Sequence, residues 1–438
     1  MSSAEPRSSF LARFIRSEVS GSVLLLVFTV AALVWANSPW AGTYERLLEI
    51  PVGLSVGGHT FALSLLHWVN DGLMAVFFFV VGLEIKRELV LGQLSTWRGA
   101  VLPVAAAVGG MVVPAFVFVA LNHGGPGARA WGVPMATDIA FALGVLSLLG
   151  SRVPVGLKVF LTALAIADDL GSVLVISVYY TEKLRFAALL LAMVLLVPIA
   201  AARAPRRLPV ALHVALGAGV WLATLSSGVH ATVAGIVLAL LVPVRSRISP
   251  DHFLVEVGGA IRELEAEPLS RETLVLDAGR LERLETLHET AGRFRPLGLV
   301  LEHALHPITT WFVLPLFALF NAGVTLEGGL REALKTRVAA GVMLGLFVGK
   351  QVGIAAAAWL VVRLELAELP PGVRMRDLYG AAILGGVGFT MSIFVAGLAL
   401  GEGALEDAAK VGILAGSITS ALAGWIFLRL TLRAPAAP

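Results

Sequence analysis

Four ionisable side chains interrupt the apolar stretches of this sequence. They lie where almost all neighbouring residues are hydrophobic: Asp138, Asp168, Asp169 and Lys350. A charged residue at the centre of a membrane helix costs roughly 2.5–3.5 kcal/mol on the insertion scale, so the set would be very unfavourable if it faced lipid. We therefore expect the four to face a protein interior or a wet cavity, where such residues usually serve transport or proton relay.

The residue types in this set suit a small alkali cation and protons. Carboxylate and hydroxyl oxygens are hard ligands, and the sequence has no cysteine for softer metals. Asp168 and Asp169 are adjacent, so on a helix their side chains point about 100° apart and cannot share one direction. A cation favours the ionised form of a buried carboxylate, so cation binding and proton release become one equilibrium. If Lys350 formed only a structural ion pair with one of the three aspartates, the other two carboxylates would still have no counter-charge.

Two segments with helix breakers are predicted to position these side chains. Pro134 precedes Thr137 and Asp138 in WGVPMATDIAFALGVL, so the helix should be broken just before Thr137. Three glycines within 385–388 permit unwinding in the middle of GAAILGGVGFTMSIFVAG. Freed backbone groups at membrane depth are tolerated only beside a cavity, so two interrupted helices indicate a transporter's binding site. Asp138 and Lys350 would then neutralise facing ends of the broken helices.

The composition places these segments in an all-α polytopic membrane protein. The chain has 438 residues, of which 57% are hydrophobic and 14% charged, against about 45–50% and about 25% in soluble domains. This excludes a soluble enzyme, a disordered protein and a disulfide scaffold. The net charge is only +3 and no basic run indicates a nucleic-acid partner. Long uncharged stretches alternate with short charged ones, which favours helices over the ~10-residue alternation of a β-barrel.

The hydropathy pattern predicts about twelve transmembrane helices in a single transporter domain over residues 1–438. Leu208–Val244 lacks Asp, Glu, Lys and Arg and is too long for one span of about 20 residues. Ser226–Gly228 offers a turn in its middle. Most Lys and Arg residues fall on one side if the chain begins inside, so the positive-inside rule places the N- and C-termini in the cytoplasm.

Two segments are predicted to lie outside the helix bundle. Apolar residues alternate on both sides of Gly57-Gly58 in Pro51–Leu65, which predicts a small external β-hairpin, with an ordinary loop as the alternative. Arg245–Arg295 is rich in both charge signs and forms a cytoplasmic charged loop. Leucines at 274, 281, 284 and 287 predict that part of it is amphipathic helix, serving as a solvated cover or an interaction element.

Further ionisable residues lie at the ends of predicted helices. His303 and His306 are three residues apart on one helix face, and a zinc site there lacks further clear ligands. A titrating cluster is favoured, because histidine changes charge near neutral pH. His230 is interpreted as a polar residue at the end of a helix. Glu84 and Glu88, which flank Lys86 and Arg87, fit either a role in regulation or an interfacial charge network without one.

Other functions fit parts of this pattern. A proton-coupled symporter for an organic anion would need an arginine within a span or uncovered helix N-termini. An intramembrane aspartyl protease would need two facing carboxylates, which Asp138 and Asp169 could supply, but its GxGD signature is absent. An ion channel is a third alternative, although nothing indicates a symmetric pore.

Several motifs together resemble the bacterial NhaA-type sodium/proton antiporters, over roughly Phe14 to Arg429. They occur in the family's order: GLEIKREL, ATDIAFALGVL, ADDLG, SGVHATVAG, LEHALHP, LPLFALFNAGV, GLFVGKQVGI and GGVGFTMSIF. The resemblance implies inverted three-helix repeats with two broken helices that cross near the midplane. It implies an electrogenic antiporter of the bacterial inner membrane, neither an enzyme nor a cofactor protein. Such a protein exports sodium or lithium for protons by alternating access and controls internal pH and sodium.

The resemblance also implies residue roles. Asp169 would be the main sodium ligand and proton carrier, and Asp168 a second proton-linked acid paired with Lys350. Thr137 and Asp138 would line the crossing, and Thr137 and Asp168 would contribute to the sodium or lithium site. A pH-response group would comprise Glu84, Glu88, Glu302, His303, His306 and His230. Pro51–Leu65 resembles the family's homodimer contact, whereas the long Arg245–Arg295 segment departs from many relatives.

Overall fold

The described part of the chain is almost entirely helical, with a two-stranded sheet at Pro51–Val56 and His59–Ser64. The computed structural model describes residues 18–56, 59–181, 184–201, 209–246, 248–265, 278–325 and 330–432. Within these ranges, three helices contain a π-helical segment, at Trp68–Leu73, Thr309–Val313 and Gly345–Gly349. The other helical segments are Glu18–Ala36, Ala41–Glu49, Leu65–His67, Met74–Val90, Gln93–Ser95, Trp97–Asn122, Ala128–Met135, Ile139–Ser147, Gly150–Arg152, Val155–Tyr179, Phe186–Ala201, Val210–Ser227, Thr232–Leu241, Pro250–Glu265, Ala278–Phe294, Leu297–Ile308, Leu314–Asn321, Leu330–Leu334, Arg337–Leu344, Lys350–Arg363, Met375–Leu384, Phe389–Leu400 and Ala404–Thr431.

The helices are those of an all-α polytopic membrane protein. Among the described residues, seven helices are long and apolar enough to cross a membrane, or up to nine if each sharply bent pair is one span. Two more apolar helices, Phe186–Ala201 and Thr232–Leu241, are shorter. The number of twelve spans stays a prediction, because these shorter helices do not by themselves reach the length of a membrane crossing.

Both predicted helix breaks are present. The first broken span consists of the 3₁₀-helix Ala128–Met135 and the α-helix Ile139–Ser147. The second broken span consists of Met375–Leu384 and Phe389–Leu400, which are bent by 48° at the glycines between them. The 3₁₀ geometry before the first break was not expected, and it accompanies Pro134, whose ring disfavours the α conformation of the residue before it.

Small residues allow the helices around the breaks to pack closely. We call Val155–Tyr179 the acidic helix, Arg337–Arg363 the lysine helix and Ala404–Thr431 the last helix. A Cβ added at Gly353 of the lysine helix would lie 3.0 Å from Val113 on the helix Trp97–Asn122. A Cβ at Gly416 of the last helix would lie 3.3 Å from Met343. Such contacts stabilise membrane helix bundles through van der Waals packing.

The segment predicted as a hairpin contains the sheet. Pro51–Val56 and His59–Ser64 pair in antiparallel register, with Pro51 opposite Ser64. Gly57 and Gly58 lie outside the described residues. Leu65 continues from the second strand, and its N–H donates to Ile50 O at 3.0 Å.

The charged segment Arg245–Arg295 contains two helices, which we call the loop hairpin: Pro250–Glu265 and Ala278–Phe294. Phe253 stacks on Phe294 with ring centroids 4.3 Å apart, and Arg293 pairs with Glu256 across the two helices. Leu281 and Leu284 of the predicted apolar spacing are exposed, whereas Leu274 lies outside the described residues.

Candidate ion-binding site

The two breaks touch each other directly. The backbone N–H of Asp138 donates to Val387 O at 2.7 Å, and the Thr137 hydroxyl donates to Gly385 O at 2.9 Å. Backbone groups left unpaired by one break are thus satisfied by the other, which is what a low-dielectric interior requires.

Asp138 caps two helices at this crossing. Its carboxylate accepts the N–H of Phe141 at 3.0 Å, which caps Ile139–Ser147. The same carboxylate accepts the N–H of Thr390 at 3.1 Å and the Thr390 hydroxyl at 2.5 Å, at the start of Phe389–Leu400. One buried negative charge therefore lies against two positive helix ends, as expected for Asp138.

Lys350 pairs with Asp168. Its Nζ donates to Asp168 Oδ2 at 2.5 Å and to the Thr137 hydroxyl at 2.9 Å. Both charged side chains are only 1% exposed. Lys350 follows directly on the π-helical segment Gly345–Gly349, where the extra residue in the turn changes the direction in which later side chains point. Its partners are these two side chains and not carbonyls at a helix end, so the expected neutralisation of a broken helix end by Lys350 is not observed among the described residues.

Asp169 points elsewhere. It lines a cavity of about 230 Å³ together with Asp138 and Thr390, and we call this space the Asp169 cavity. The side chain is 3% exposed. The adjacent aspartates thus divide as their helical spacing predicts: Asp168 enters an ion pair, and Asp169 borders a cavity.

The residues predicted to form the transport site therefore fall into two groups. Thr137 and Asp168 meet at Lys350 Nζ, whereas Asp169 and Asp138 border the cavity. Within the described ranges, no three His, Cys, Asp or Glu side chains converge as a metal site. An alkali cation at Asp169 would therefore need hydroxyl, backbone or water oxygens in addition to carboxylate.

The mouth of the Asp169 cavity carries a charge network. Glu84, Arg87 and His306 line the cavity. Arg87 pairs with the buried Glu302 and lies 3.4 Å from Glu88. The structure thus places Glu88 and Glu302 of the predicted pH-response group on Arg87, and Glu84 and His306 of that group line the same cavity as this arginine.

Two predicted members lie apart from this network. The exposed His303 contacts Leu299 O of its own helix through Nδ1 at 2.8 Å. His230 contacts Tyr180 O through Nε2 at 3.2 Å, at the end of the acidic helix. Lys86 does not pair with the nearby acids in the described contacts. Its Nζ donates to Leu240 O at 2.7 Å and stabilises the end of Thr232–Leu241.

A second cavity lies on the other side of the crossing. It measures about 480 Å³ and is lined by Asp71, Glu406, Lys410 and Phe394, and we call it the Asp71 cavity. Phe394 packs between Phe78 and Phe317, with ring centroids 5.4 and 6.2 Å away. The helix Phe389–Leu400 borders both cavities, with Thr390 in one and Phe394 in the other. One turn of this helix and its aromatic contacts separate them.

Sequence reasoning missed three hydroxyl residues at the crossing. Thr390 bonds Asp138, and the Ser392 hydroxyl donates to Val133 O at 2.8 Å. Ser417 of the last helix accepts two backbone N–H groups at the second break. Thr390 closely follows the glycines of the predicted break, and this position was the only sequence signal for it. Ser417 carries no local signal, because its partners are about thirty residues away along the chain.

Comparisons with known proteins show which family this chain resembles. The family described as Na⁺/H⁺ antiporter 1 matches residues 12–428. The Na⁺/H⁺ antiporter NhaA of Oleidesulfovibrio alaskensis is 46% identical over 430 residues, covering 96% of this chain and 94% of that protein. The NhaA of Koribacter versatilis is 43% identical over 420 residues, covering 95% and 90%. An antiporter named NhaA 2 in Sorangium cellulosum is 46% identical over 426 residues, covering 97% and 90%.

Proposed function

This chain belongs to the Na⁺/H⁺ antiporter 1 family, and we propose that it exports sodium or lithium through a site centred on Asp169. It is a secondary transporter that exchanges sodium and protons, and not an enzyme. The observation that carries the site assignment is the division of the two aspartates. Asp168 is held by Lys350, whereas Asp169 lies at the cavity, where a cation and a proton can compete for its oxygens.

The exchange follows from that competition. A cation at Asp169 requires the ionised carboxylate, so its arrival releases a proton and its departure allows one to return. The added positive charge also repels the Lys350 ammonium and weakens its contact with Asp168 and Thr137. Those oxygens then become available to the cation, which makes Thr137 and Asp168 ligands of the occupied site. Asp138 supports the site through Thr390 and the helix ends, and it carries no exchanged proton.

Alternating access is supported by the two cavities. The Asp169 cavity reaches the site from the side of the Arg87 network, and the Asp71 cavity ends at Phe394 on the other side. A shift of Phe389–Leu400 past Phe78 and Phe317 would close the first cavity and open the second. The broken helix can move in this way because its backbone is already interrupted at the glycines.

The wider arrangement belongs to the same proposal. We assign about twelve spans with inverted three-helix repeats, N- and C-termini in the cytoplasm and residence in the bacterial inner membrane. The Asp169 cavity then opens to the cytoplasm, so the network of Arg87, Glu84, Glu88 and Glu302 senses internal pH. His303, His306 and His230 complete the pH-response group, and the transporter controls internal pH and sodium.

The sheet is proposed to join two copies of the chain. Val52 and Phe61 expose 43% and 42% of their surface on the two strands, which is apolar area suited to a partner. Trp68 holds the sheet in place, because its Nε1–H donates to Val52 O at 2.9 Å. A homodimer through Pro51–Leu65 would cover this surface.

The contacts of Asp138 argue against two of the alternative functions, an aspartyl protease and an anion symporter. The aspartyl protease requires Asp138 and Asp169 as a dyad that shares a proton. Asp138 instead accepts three hydrogen bonds at helix ends. The anion symporter requires helix N-termini free to bind an anion, and Asp138 covers both starts at the crossing.

The test measures proton movement in everted membrane vesicles when sodium or lithium is added. Wild-type protein should release protons from the vesicle interior, and Asp169→Asn should abolish this while preserving the shape of the side chain. Asp71→Asn is the matched control, because it neutralises an acid that lines the other cavity. An imposed membrane potential should change the rate, since one charge per 100 mV is worth about 2.3 kcal/mol.

The outcomes separate the parts of the proposal. Full sodium-dependent proton movement in Asp169→Asn vesicles would overturn the site assignment. A rate that is independent of membrane potential would overturn electrogenic exchange. Loss of activity in Asp71→Asn equal to that in Asp169→Asn would place the exchanging acid elsewhere.

A further inference from the structure

The helix Phe389–Leu400 begins inside the protein with a residue that cannot cap it. Gly388 is the N-cap position and has no side chain. The first N–H groups of a helix have no partners within the helix, and at membrane depth the protein must supply them. The groups that accept hydrogen bonds from these N–H groups therefore determine the position of Phe389–Leu400.

Two other helices supply those partners. The N–H groups of Gly388 and Phe389 donate to the Ser417 hydroxyl oxygen at 3.3 and 3.1 Å. The next N–H, that of Thr390, donates to Asp138. Three consecutive donors at a positive helix end are thus shared between a buried serine of the last helix and the capping aspartate of the first broken span.

We propose that Ser417 is a positioning residue for sodium binding. It holds the start of Phe389–Leu400 so that Thr390 and Asp138 stay beside Asp169 in the cavity. This inference rests on the proposed function above, because it assumes that sodium binds at Asp169. It adds a residue of the last helix that touches no ion.

The packing of the last helix explains how Ser417 can hold this position. Gly416, next to Ser417, lies against the lysine helix, where an added Cβ would be 3.3 Å from Met343. A Cβ added at Gly424 of the last helix would lie 2.6 Å from Leu384, the residue directly before the glycine break. The last helix is therefore fixed against both the lysine helix and the glycine break, and the Ser417 hydroxyl transmits that position to the helix start.

Removing the Ser417 hydroxyl changes which groups accept hydrogen bonds from the start of Phe389–Leu400. In Ser417→Ala the N–H groups of Gly388 and Phe389 lose their acceptor, and Asp138 becomes the nearest negative group to the whole helix end. Asp138 and Thr390 then shift relative to Asp169, which weakens sodium binding more than it slows the transport step. Protons compete with sodium for the same carboxylate, so the pH dependence must change as well.

The experiment measures sodium-dependent proton movement in vesicles for Ser417→Ala, Ser417→Thr and the control Ser420→Ala. Ser420 is equally buried on the same helix, and its hydroxyl has no hydrogen-bond partner within the part of the chain that the structure describes. We expect Ser417→Ala to raise the apparent KM for sodium about tenfold with kcat nearly unchanged. At low sodium its activity curve should shift to higher pH, and saturating sodium should restore the rate. Ser417→Thr keeps the acceptor and should retain the wild-type KM.

A purely structural role would give a different result. It would lower the melting temperature and the amount of active protein in Ser417→Ala without changing KM, and this overturns the proposal. An equal rise of KM in Ser417→Ala and Ser420→Ala also overturns it. If Ser417→Ala does not accumulate in the membrane, Ser417→Cys decides, because sulfur is only a weak acceptor and an unchanged KM there contradicts the inference.

The proposed site is tested separately by Asp169→Asn in the same vesicles. An active Asp169→Asn protein overturns the site and leaves the Ser417 effect without its explanation. An inactive Asp169→Asn protein with a wild-type KM in Ser417→Ala overturns only the positioning role.

Discussion

Ion pairs join helices in two very different regions of this protein, the crossing and the loop hairpin. At the crossing, Lys350 and Asp168 connect the lysine helix and the acidic helix, and both side chains are 1% exposed. In the loop hairpin, Arg293 and Glu256 connect two helices with side chains 39% and 30% exposed. The Arg293 guanidinium hydrogen-bonds Glu256 and holds the pKa of that carboxyl below its usual value.

The difference between the regions is solvent rather than residue type. Water screens the loop pair and can replace either partner, so that pair contributes little. The pair at the crossing is almost fully buried, so each charge there depends on its neighbour. The same acid–base chemistry can therefore respond to an arriving ion only at the crossing, where a new charge changes the balance strongly.

Lys350→Ala tests this contrast with the largest expected effect. It strands Asp168, and a buried acid without its partner costs about 3–5 kcal/mol while it stays ionised. Uptake of a proton by Asp168 reduces that cost and removes a charge that the site needs. We expect lower melting temperature and weaker sodium affinity together, measured by thermal unfolding in detergent and by sodium titration in vesicles.

The arginine variant separates the two roles of Lys350. Lys350→Arg keeps the charge and cannot release a proton. An active protein would support a structural counter-charge, and a stable but inactive one would make Lys350 a proton carrier. Wild-type melting and sodium affinity in Lys350→Ala would contradict both.

Asp138→Ala comes next, and it tests whether capping differs from ion exchange within the crossing. The change removes the acceptor for the helix starts at Phe141 and Thr390. We expect the apparent KM for sodium to rise about tenfold, with a smaller fall in the maximal rate. Asp138→Asn keeps an oxygen acceptor and should be milder. An Asp138→Ala protein as inactive as Asp169→Ala would show that Asp138 takes part in exchange itself.

Glu302→Gln tests an ion pair whose solvent exposure is intermediate between that of the crossing and that of the loop hairpin. Its pair with Arg87 joins a buried acid to a partly exposed base at the cavity mouth. Loss of one negative charge there lets the remaining groups release protons more readily, so the activity profile should move to lower pH by about 0.5–1 unit. Activity at the optimum should stay close to wild type. An unchanged profile in Glu84, Glu88 and Glu302 variants alike would leave the network a structural role only.

Glu256→Gln should have the smallest effect, confined to the loop hairpin. Because the pKa of Glu256 is lowered in the folded state, its ion pair stabilises the hairpin above the usual glutamate pKa of about 4.3 and loses this effect as the pH falls further. We expect slightly faster proteolysis of the hairpin than in wild type at pH 7, and a difference that disappears as the pH falls through the lowered pKa of Glu256. Sodium transport should be unchanged, and a changed KM would show that the loop hairpin acts on the site.

The sequence alone determined where the helices break and which charges avoid lipid. Pro134 and the glycines of 385–388 act locally, because they alter the backbone whatever surrounds them. Asp168, Asp169 and Lys350 were identified because lipid cannot solvate a charge, a rule that needs no partner to be known. The different directions of the two aspartates followed from the helical repeat.

Only the tertiary structure decided how these residues are connected. Lys350 meets Asp168 across 182 residues of sequence, and Ser417 meets the second break across 28. Hydropathy shows that these residues are buried but not which partner each one meets. The π-helical segment before Lys350 also escaped prediction, because it depends on packing rather than on composition. The ion pair, the shared caps and the division into two cavities exist because distant helices supply the hydrogen bonds that lipid cannot.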